Sequence, residues 1–410
     1  MIFQDRLGIL LEMRLSGVAE QNCTVLYGKS QINPFLGGRE MKSNKCGFNS
    51  IILYLLIILN LVSVSFAVSA SIQNLGSLVG EAVSDDGSTV VGGGPGNLAH
   101  RWYNGTLEQL PNLPGHSQSH AADVSADGSV IVGTSEHYDV DTGAFLVSGF
   151  RWENGMLTNL GYLNPGYKYT KGMGVSADGS IIVGDSISSY DKQAYKWTQA
   201  DGMQGLGYLP GQYTSYADAI SSDGSIIAGY GSSVAGPVAI MWKDGMKTPL
   251  GDLSGGVYES MSFDVSNNGT IVGRSTSAQG QEAFRWTQET GMVGLGDFTG
   301  GRYLSWANAV TEDGSIVVGQ GETDNGSVAF IWDELNGLRS IQYVLENDFG
   351  MDLTGWSLSK AIDITPDGSV IIGTGYYNQS YSTWMVTIPE PATLFLLGLG
   401  AVMLRRKHRA

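Results

Sequence analysis

From residue 77 to 388, short apolar runs alternate with small polar clusters, and one arrangement keeps returning. Val175-Ser176-Ala177-Asp178-Gly179-Ser180-Ile181-Ile182-Val183-Gly184 is its clearest form. Apolar runs flanking an Asp-Gly pair predict a hairpin, because Gly accepts the positive φ that a tight reversal needs. The turn glycines are Gly87, Gly128, Gly179, Gly224, Gly269, Gly314 and Gly368, at gaps of 41, 51, 45, 45, 45 and 54 residues. Each unit also brings a Trp (Trp102, Trp152, Trp197, Trp242, Trp286, Trp332, Trp384). A Leu-Gly-x-Leu phrase follows most of them, as in Leu160-Gly161-Tyr162-Leu163 and Leu206-Gly207-Tyr208-Leu209. A large aromatic at one fixed place per unit suits sheets stacked at constant spacing.

The unit 197–242 contains four short strand candidates. Four strands in about 45 residues match a β-propeller blade, and seven units lie within the usual range for such rings. Length alone suggests two or three domains, and the repeat overrules that estimate. The expected fold is all-β, a seven-bladed propeller over 71–388. Ile72-Gln73-Asn74-Leu75-Gly76 reads as a fourth-strand phrase arriving before any first strand, while the seventh unit ends at Ile388 without one. The N-terminal strand is therefore expected to close the ring and cover both exposed edges. One unit departs from the pattern. After Trp332, apolar residues at 338, 341, 344, 345 and 349 and a stop at Gly350 predict a short amphipathic helix between blades six and seven. It reads either as a packing device or as a partner site.

The two ends read as addresses. A basic start at Met41, an apolar run Ile51–Val62 and small residues up to Ala70 form the layout of a secretory signal peptide over 41–70. Residues 1–40 read as a spurious upstream extension; the alternative is a cytoplasmic tail with an uncleaved anchor. Cys23 and Cys46 both precede the expected cleavage region, so the exported part has neither a disulfide nor a cysteine site. Between residues 71 and 404 there are 13 basic and 35 acidic residues, a net charge of −22. Such a surface repels phosphates, so no nucleic acid partner is expected.

At the C-terminus, Pro389-Glu390-Pro391, the apolar stretch 392–404 and the cluster Arg405-Arg406-Lys407-His408-Arg409 follow in order. This order resembles the PEP-CTERM sorting signal of Gram-negative bacteria. The resemblance implies that Pro389, Glu390, Pro391, Arg405 and Arg406 carry the signal within a short transmembrane tail, 389–410. It also implies an exosortase as partner, removal of the tail, only transient membrane contact through the termini, and delivery to the cell surface or an exopolysaccharide-rich extracellular matrix. A simple membrane anchor is the alternative. The repeats resemble the HAF family of extracellular repeats, through the Val-Ser-x-Asp-Gly-Ser turns and phrases such as Ala283-Phe284-Arg285-Trp286. That family implies an address and an architecture, not a reaction.

Candidate chemistry is sparse. His116 and His120 have metal-ligand spacing only on a helix, and Pro114-Gly115 argues against one. Asp127, Asp178, Asp223, Asp313 and Asp367 recur in register, but calcium needs six to eight or so oxygens around one ion, and turn chemistry accounts for Asp unaided. The Ser-x-Asp-Gly arrangement is similar to the Asp-box hairpins of sialidase propellers, without their following aromatic. No catalytic, cofactor or metal residue is expected. The acids outside the turns, Glu136, Asp139, Asp141 and Glu322, are placed in loops of uneven length. The expected function is a non-enzymatic scaffold or binding module for an extracellular glycan or surface protein, with the insert 134–149 as first candidate for contact. The alternative is a glycan-active hydrolase or lyase with a carboxylate pair at the channel mouth.

Overall fold

Each Ser-x-Asp-Gly segment builds the same turn. The computed structural model describes residues 70–139, 143–189 and 191–388. Gly179 N–H donates to Ser176 C=O at 2.8 Å, and the matching bond forms in all seven units. Asp-Gly therefore takes the third and fourth places of the turn, with Gly179 at φ +69°. Asp178 Oδ1 accepts from Ser176 Oγ at 2.6 Å and from Ser180 N at 3.0 Å. Asn268 accepts the same pair of bonds in unit five. The turn thus consumes its own Asp. Gly184, which ends the quoted run, lies so close to the inner strand that a Cβ would strike the Lys171 carbonyl oxygen.

These hairpins assemble into seven four-stranded antiparallel sheets among the described residues. Blades one to six span 79–109, 118–159, 170–205, 215–249, 255–296 and 305–340, and blade seven combines 356–387 with 71–74. Every inner strand carries a register shift at the same place, Asp218 being the extra residue in blade four.

The protein is a seven-bladed β-propeller, and its core is divided among the seams. Each of seven apolar clusters draws on two neighbouring blades and the chain between them. Trp152 of blade two, for example, shares a cluster with Val91 of blade one and Leu110 of the crossover between them. Six of the repeated Trp residues are buried and Trp332 is partly so. A buried Ser stitches each of several seams. Ser215 Oγ accepts from Ala194 N of blade three at 3.0 Å and donates to Gly207 C=O at 2.9 Å. Ser260 and Ser305 do the same for Gly251 and Gly296. The Leu-Gly phrase thus supplies both a core Leu and the carbonyl that receives this Ser.

The N-terminal strand closes the ring as expected. Ser71–Asn74 pairs antiparallel with Ser380–Thr387, in register from Ser71↔Thr387 to Asn74↔Trp384. Thr383 Oγ1 then donates to Leu78 C=O at 2.6 Å and accepts from Gly80 N at 3.0 Å, tying blade one to blade seven.

The helix begins later than its apolar period suggests. Gly337–Ser340 is the outer strand of blade six, with Leu338 opposite Trp332. Ladder pairing therefore claims Leu338, and the helix is Ile341–Asn347, capped by Ser340 Oγ accepting from Tyr343 N. Ile341, Val344 and Leu345 fill the seam between blades six and seven, a packing role. Among the described residues no helix is long and apolar enough to cross a membrane.

Deleting Ser71–Asn74 bares the third strand of blade seven. We expect the melting temperature to fall by about 10 °C or more and the shortened protein to self-associate through that edge. Calorimetry and size-exclusion chromatography check both; an unchanged melting point contradicts closure by this strand.

Candidate functional site

Strand order gives the ring two unlike rims. Turns between first and second strands, and between third and fourth, lie on one rim; hairpins between second and third strands, and the crossovers between blades, lie on the other. On the Asp-Gly rim, backbone bonds cross four of the seven seams. Asp85 N donates to Ala126 O at 3.1 Å, Ala126 N to Ala177 O at 3.0 Å, Ala177 N to Ser222 O at 2.9 Å and Glu312 N to Pro366 O at 3.1 Å. Pro366 has no N–H to pass on to blade one.

The last seam is held instead by a carboxylate. Asp363 Oδ2 accepts from Val83 N of blade one at 2.8 Å, and its Oδ1 accepts from Ile364 N at 2.8 Å. Asp123 bridges Val124 and Val175 in the same way, and Asp264 bridges Val265 and Val310. All three line the central channel, a cavity of about 110 Å³ with walls from every blade. Desolvation pushes Asp123 up to about 7 and Asp264 up to about 6, and raises Asp363 well above the ordinary range, against the pull of the N–H groups. With both oxygens of each held by the backbone, these acids fasten blades. The sequence reading missed them. Their signal was available: an Asp inside an apolar strand, four places before the turn Asp or Asn, in Ala122-Asp123-Val124, Phe263-Asp264-Val265 and Ile362-Asp363-Ile364.

The opposite rim carries the irregular features. The insert 134–149 is built mostly from the two ten-residue strands Val130–Asp139 and Ala144–Glu153, so Glu136 and Asp139 lie in a strand and not in a loop. Asp141 lies outside the described residues. Tyr138 and Phe145 face each other across this hairpin, each 56% exposed. Beside it, between blades one and two, Asn97, Gln118, Ser119, His120, Thr134 and Glu136 help line a cleft of about 330 Å³. His120 lies 3.4 Å from Glu81. His116 instead approaches His137, with ring centroids 6.4 Å apart, so the two sequence neighbours take different partners. Glu322, also in a strand, binds Arg302 through both oxygens on blade six. Among the described residues no three His, Cys, Asp or Glu are grouped so as to hold a metal ion.

Blades three and four hold a second cluster that the sequence reading did not single out. Lys192 Nζ donates to Tyr169 OH at 2.7 Å and lies 5.4 Å from the centre of the Tyr216 ring, which stacks on Tyr230 at 4.5 Å. Asp185 Oδ2 lies 3.7 Å from Lys192 Nζ. It and Asp218 Oδ2 are buried without a hydrogen-bond partner. Desolvation, reinforced by Asp185, pushes the Asp218 carboxyl up to about 8. Asp185 is raised by desolvation against the pull of Lys192 and Lys171.

Residues 387–407 match the PEP-CTERM protein-sorting motif. The motif marks the chain for export and surface sorting through an exosortase. Of the expected signal residues, Pro389, Glu390, Pro391, Arg405 and Arg406 lie outside the described residues, and Thr387, where the match begins, is the last residue of the final strand. No curated protein matches the chain. Oligogalacturonate lyase from Vibrio parahaemolyticus is similar in fold, with a TM-score of 0.51 at 11% identity over 80% of this chain and 95% of that one. The β-propeller domain of the Trilobed protease from Pyrococcus furiosus gives 0.45 at 10% identity, over 66% and 81%. TolB from Acinetobacter baumannii gives 0.43 at 11%, over 74% and 81%.

The raised and lowered carboxyls act on stability in opposite directions. Asp123, Asp218 and Asp264 keep protons in the folded state that the unfolded chain releases above about pH 4, so stability falls as pH rises toward 8. Hydrogen bonds, first from Ser176 to Asp178 and from Ser221 to Asp223, lower the turn acids, whose contribution disappears in stronger acid. We expect the melting temperature to peak near about pH 4 to 5 and to decline by pH 8, and Asp218→Asn to flatten that decline. Thermal melts across pH 3–9 (a range that brackets both sets of acids) check this, and a melting point that rises steadily to pH 8 refutes it.

Proposed function

We propose that this chain is an exported, non-enzymatic binding scaffold, displayed at the surface or in the extracellular matrix of a Gram-negative bacterium, and that its ligand is a matrix glycan. Residues 41–70 act as the export signal and the tail beyond Ile388 is removed during sorting. The resemblance of the repeats to HAF-type extracellular repeats points to the same location.

The observation that carries the binding reading is the blade-two hairpin. Tyr138 and Phe145 form an exposed aromatic pair on two ten-residue strands. Rings held this way offer large, rigid, apolar faces at low entropic cost, and the adjoining cleft supplies hydrogen-bonding groups at Asn97, Gln118 and Glu136. A sugar, apolar on its ring faces and polar at its edges, suits that combination. The channel suits it less, because its acids are already bonded across the seams.

A glycan-active enzyme is the second reading, and Asp218 favours it. A carboxyl that keeps its proton near neutral pH has the property a general acid needs. Asp185 and Lys171 act on its charge, and it in turn acts on Tyr230, which stacks on Tyr216.

Purified protein and the organism's own polysaccharide separate these readings. Binding by the scaffold predicts retention of the polysaccharide with no new reducing or unsaturated ends. The double variant Tyr138→Ala, Phe145→Ala should weaken retention by about tenfold, the loss of one good contact, while Asp218→Asn leaves it intact. New chain ends that vanish in Asp218→Asn establish the enzyme instead. Full retention by the double variant removes the hairpin from the site.

A further inference from the structure

We propose that the Asp-Gly rim is the face that docks to the sorting machinery, against a partner surface rich in basic groups, while the opposite rim stays open. The inference rests on the reading that the tail beyond Ile388 is removed during sorting, and does not depend on which ligand the protein binds.

Both chain ends leave the ring at one corner of that rim. Thr387 is paired with Ser71 on one side and with Val370 on the other. Ile388 N–H donates to Ser369 C=O at 2.7 Å, directly after the Asp367-Gly368 turn. Ala70, Ile72 and Ile388 pack against one seam, between blades six and seven. The sorting motif therefore begins on the last strand itself. Only Pro389, Glu390 and Pro391 separate Ile388 from Ala392, where the apolar stretch starts. Four residue steps reach at most about 14 Å. A protein that grips the tag must come that close to the Asp-Gly rim. The hairpins of the other rim lie a further strand length away, about 20 Å.

The rim has the charge to matter at that distance. Asp127, Asp178, Asp223, Glu312, Asp313 and Asp367 are exposed on it. Arg151 and Arg285 sit among them, on the carbonyls of Gly179 and Gly314 in the next blade, and Lys243 acts on Asp223, but the six acids outnumber these three cations. A ring of fixed negative charge raises the encounter rate with a basic surface and orients it.

The test uses the full chain in its native host and follows conversion of the tagged form to the trimmed form by mass and immunoblot. The triple variant Asp178→Asn, Asp223→Asn, Asp313→Asn removes rim charge and keeps the turns, because Asn268 already makes the same turn bonds in blade five. Asp191→Asn with Asp324→Asn removes charge from the opposite rim. We expect the triple variant to trim about threefold more slowly or worse, and the control pair to trim normally. A ten-residue Gly/Ser spacer between Ile388 and Pro389 moves the rim out of reach, so spacer-bearing parent and triple variant should trim at equal rates. Normal trimming of the triple variant overturns the proposal. So does a defect that keeps its size when the spacer is present, since it would arise away from the tag.

Discussion

A four-stranded sheet with two apolar faces cannot stand alone in water, and that constraint organises this molecule. Each blade is covered only by its neighbours, so the seams are the core. Trp and the Val-rich runs of one blade meet Leu of the preceding crossover, and this contact recurs around the ring. A linear stack would leave two bare sheets. Closure by Ser71–Asn74 removes both at once, and the first residues of the ring depend on the last for their hydrogen bonds.

Polar groups adjust what the apolar seams cannot. Backbone N–H groups at the inner ends of neighbouring strands lack ladder partners, and a buried unpaired donor is costly. Asp123, Asp264 and Asp363 meet that need by bonding two blades apiece. At the seam between blades seven and one, where Pro366 has no N–H to donate, Asp363 supplies a connection. Each such carboxyl is desolvated in a narrow channel beside other acids. It therefore tends to hold its proton, and seam fastening is tied to pH.

The two rims differ in regularity. On the Asp-Gly rim every unit repeats nearly the same turn, because two turn bonds converge on one oxygen of each turn Asp. The other rim is freed from that repeat. Its hairpins differ in length, and exposed aromatics gather there, at Tyr138 and Phe145 and at Tyr376, Tyr377 and Tyr381. Both ends of the ring leave from the regular rim, and the exposed aromatics stand on the irregular one.

The sequence by itself determined the repeat, the number of blades, the hairpin at each Asp-Gly pair and the strand exchange between the two ends. All of these follow from local turn chemistry and the two-residue period of strands, which are written in consecutive residues. Its reach ended where a residue's role depends on something distant. Leu338 fits a helical period, yet pairing opposite Trp332 made it strand. Glu136 resembled a loop acid until the long hairpin of blade two formed around it. His116 found His137 rather than His120. Asp123, Asp264 and Asp363 looked like isolated polar residues, and only the assembled ring brought a neighbouring blade's N–H to each. The tertiary structure alone decided these, because a seam joins residues some 45 to 280 positions apart, and no local pattern specifies which donor arrives.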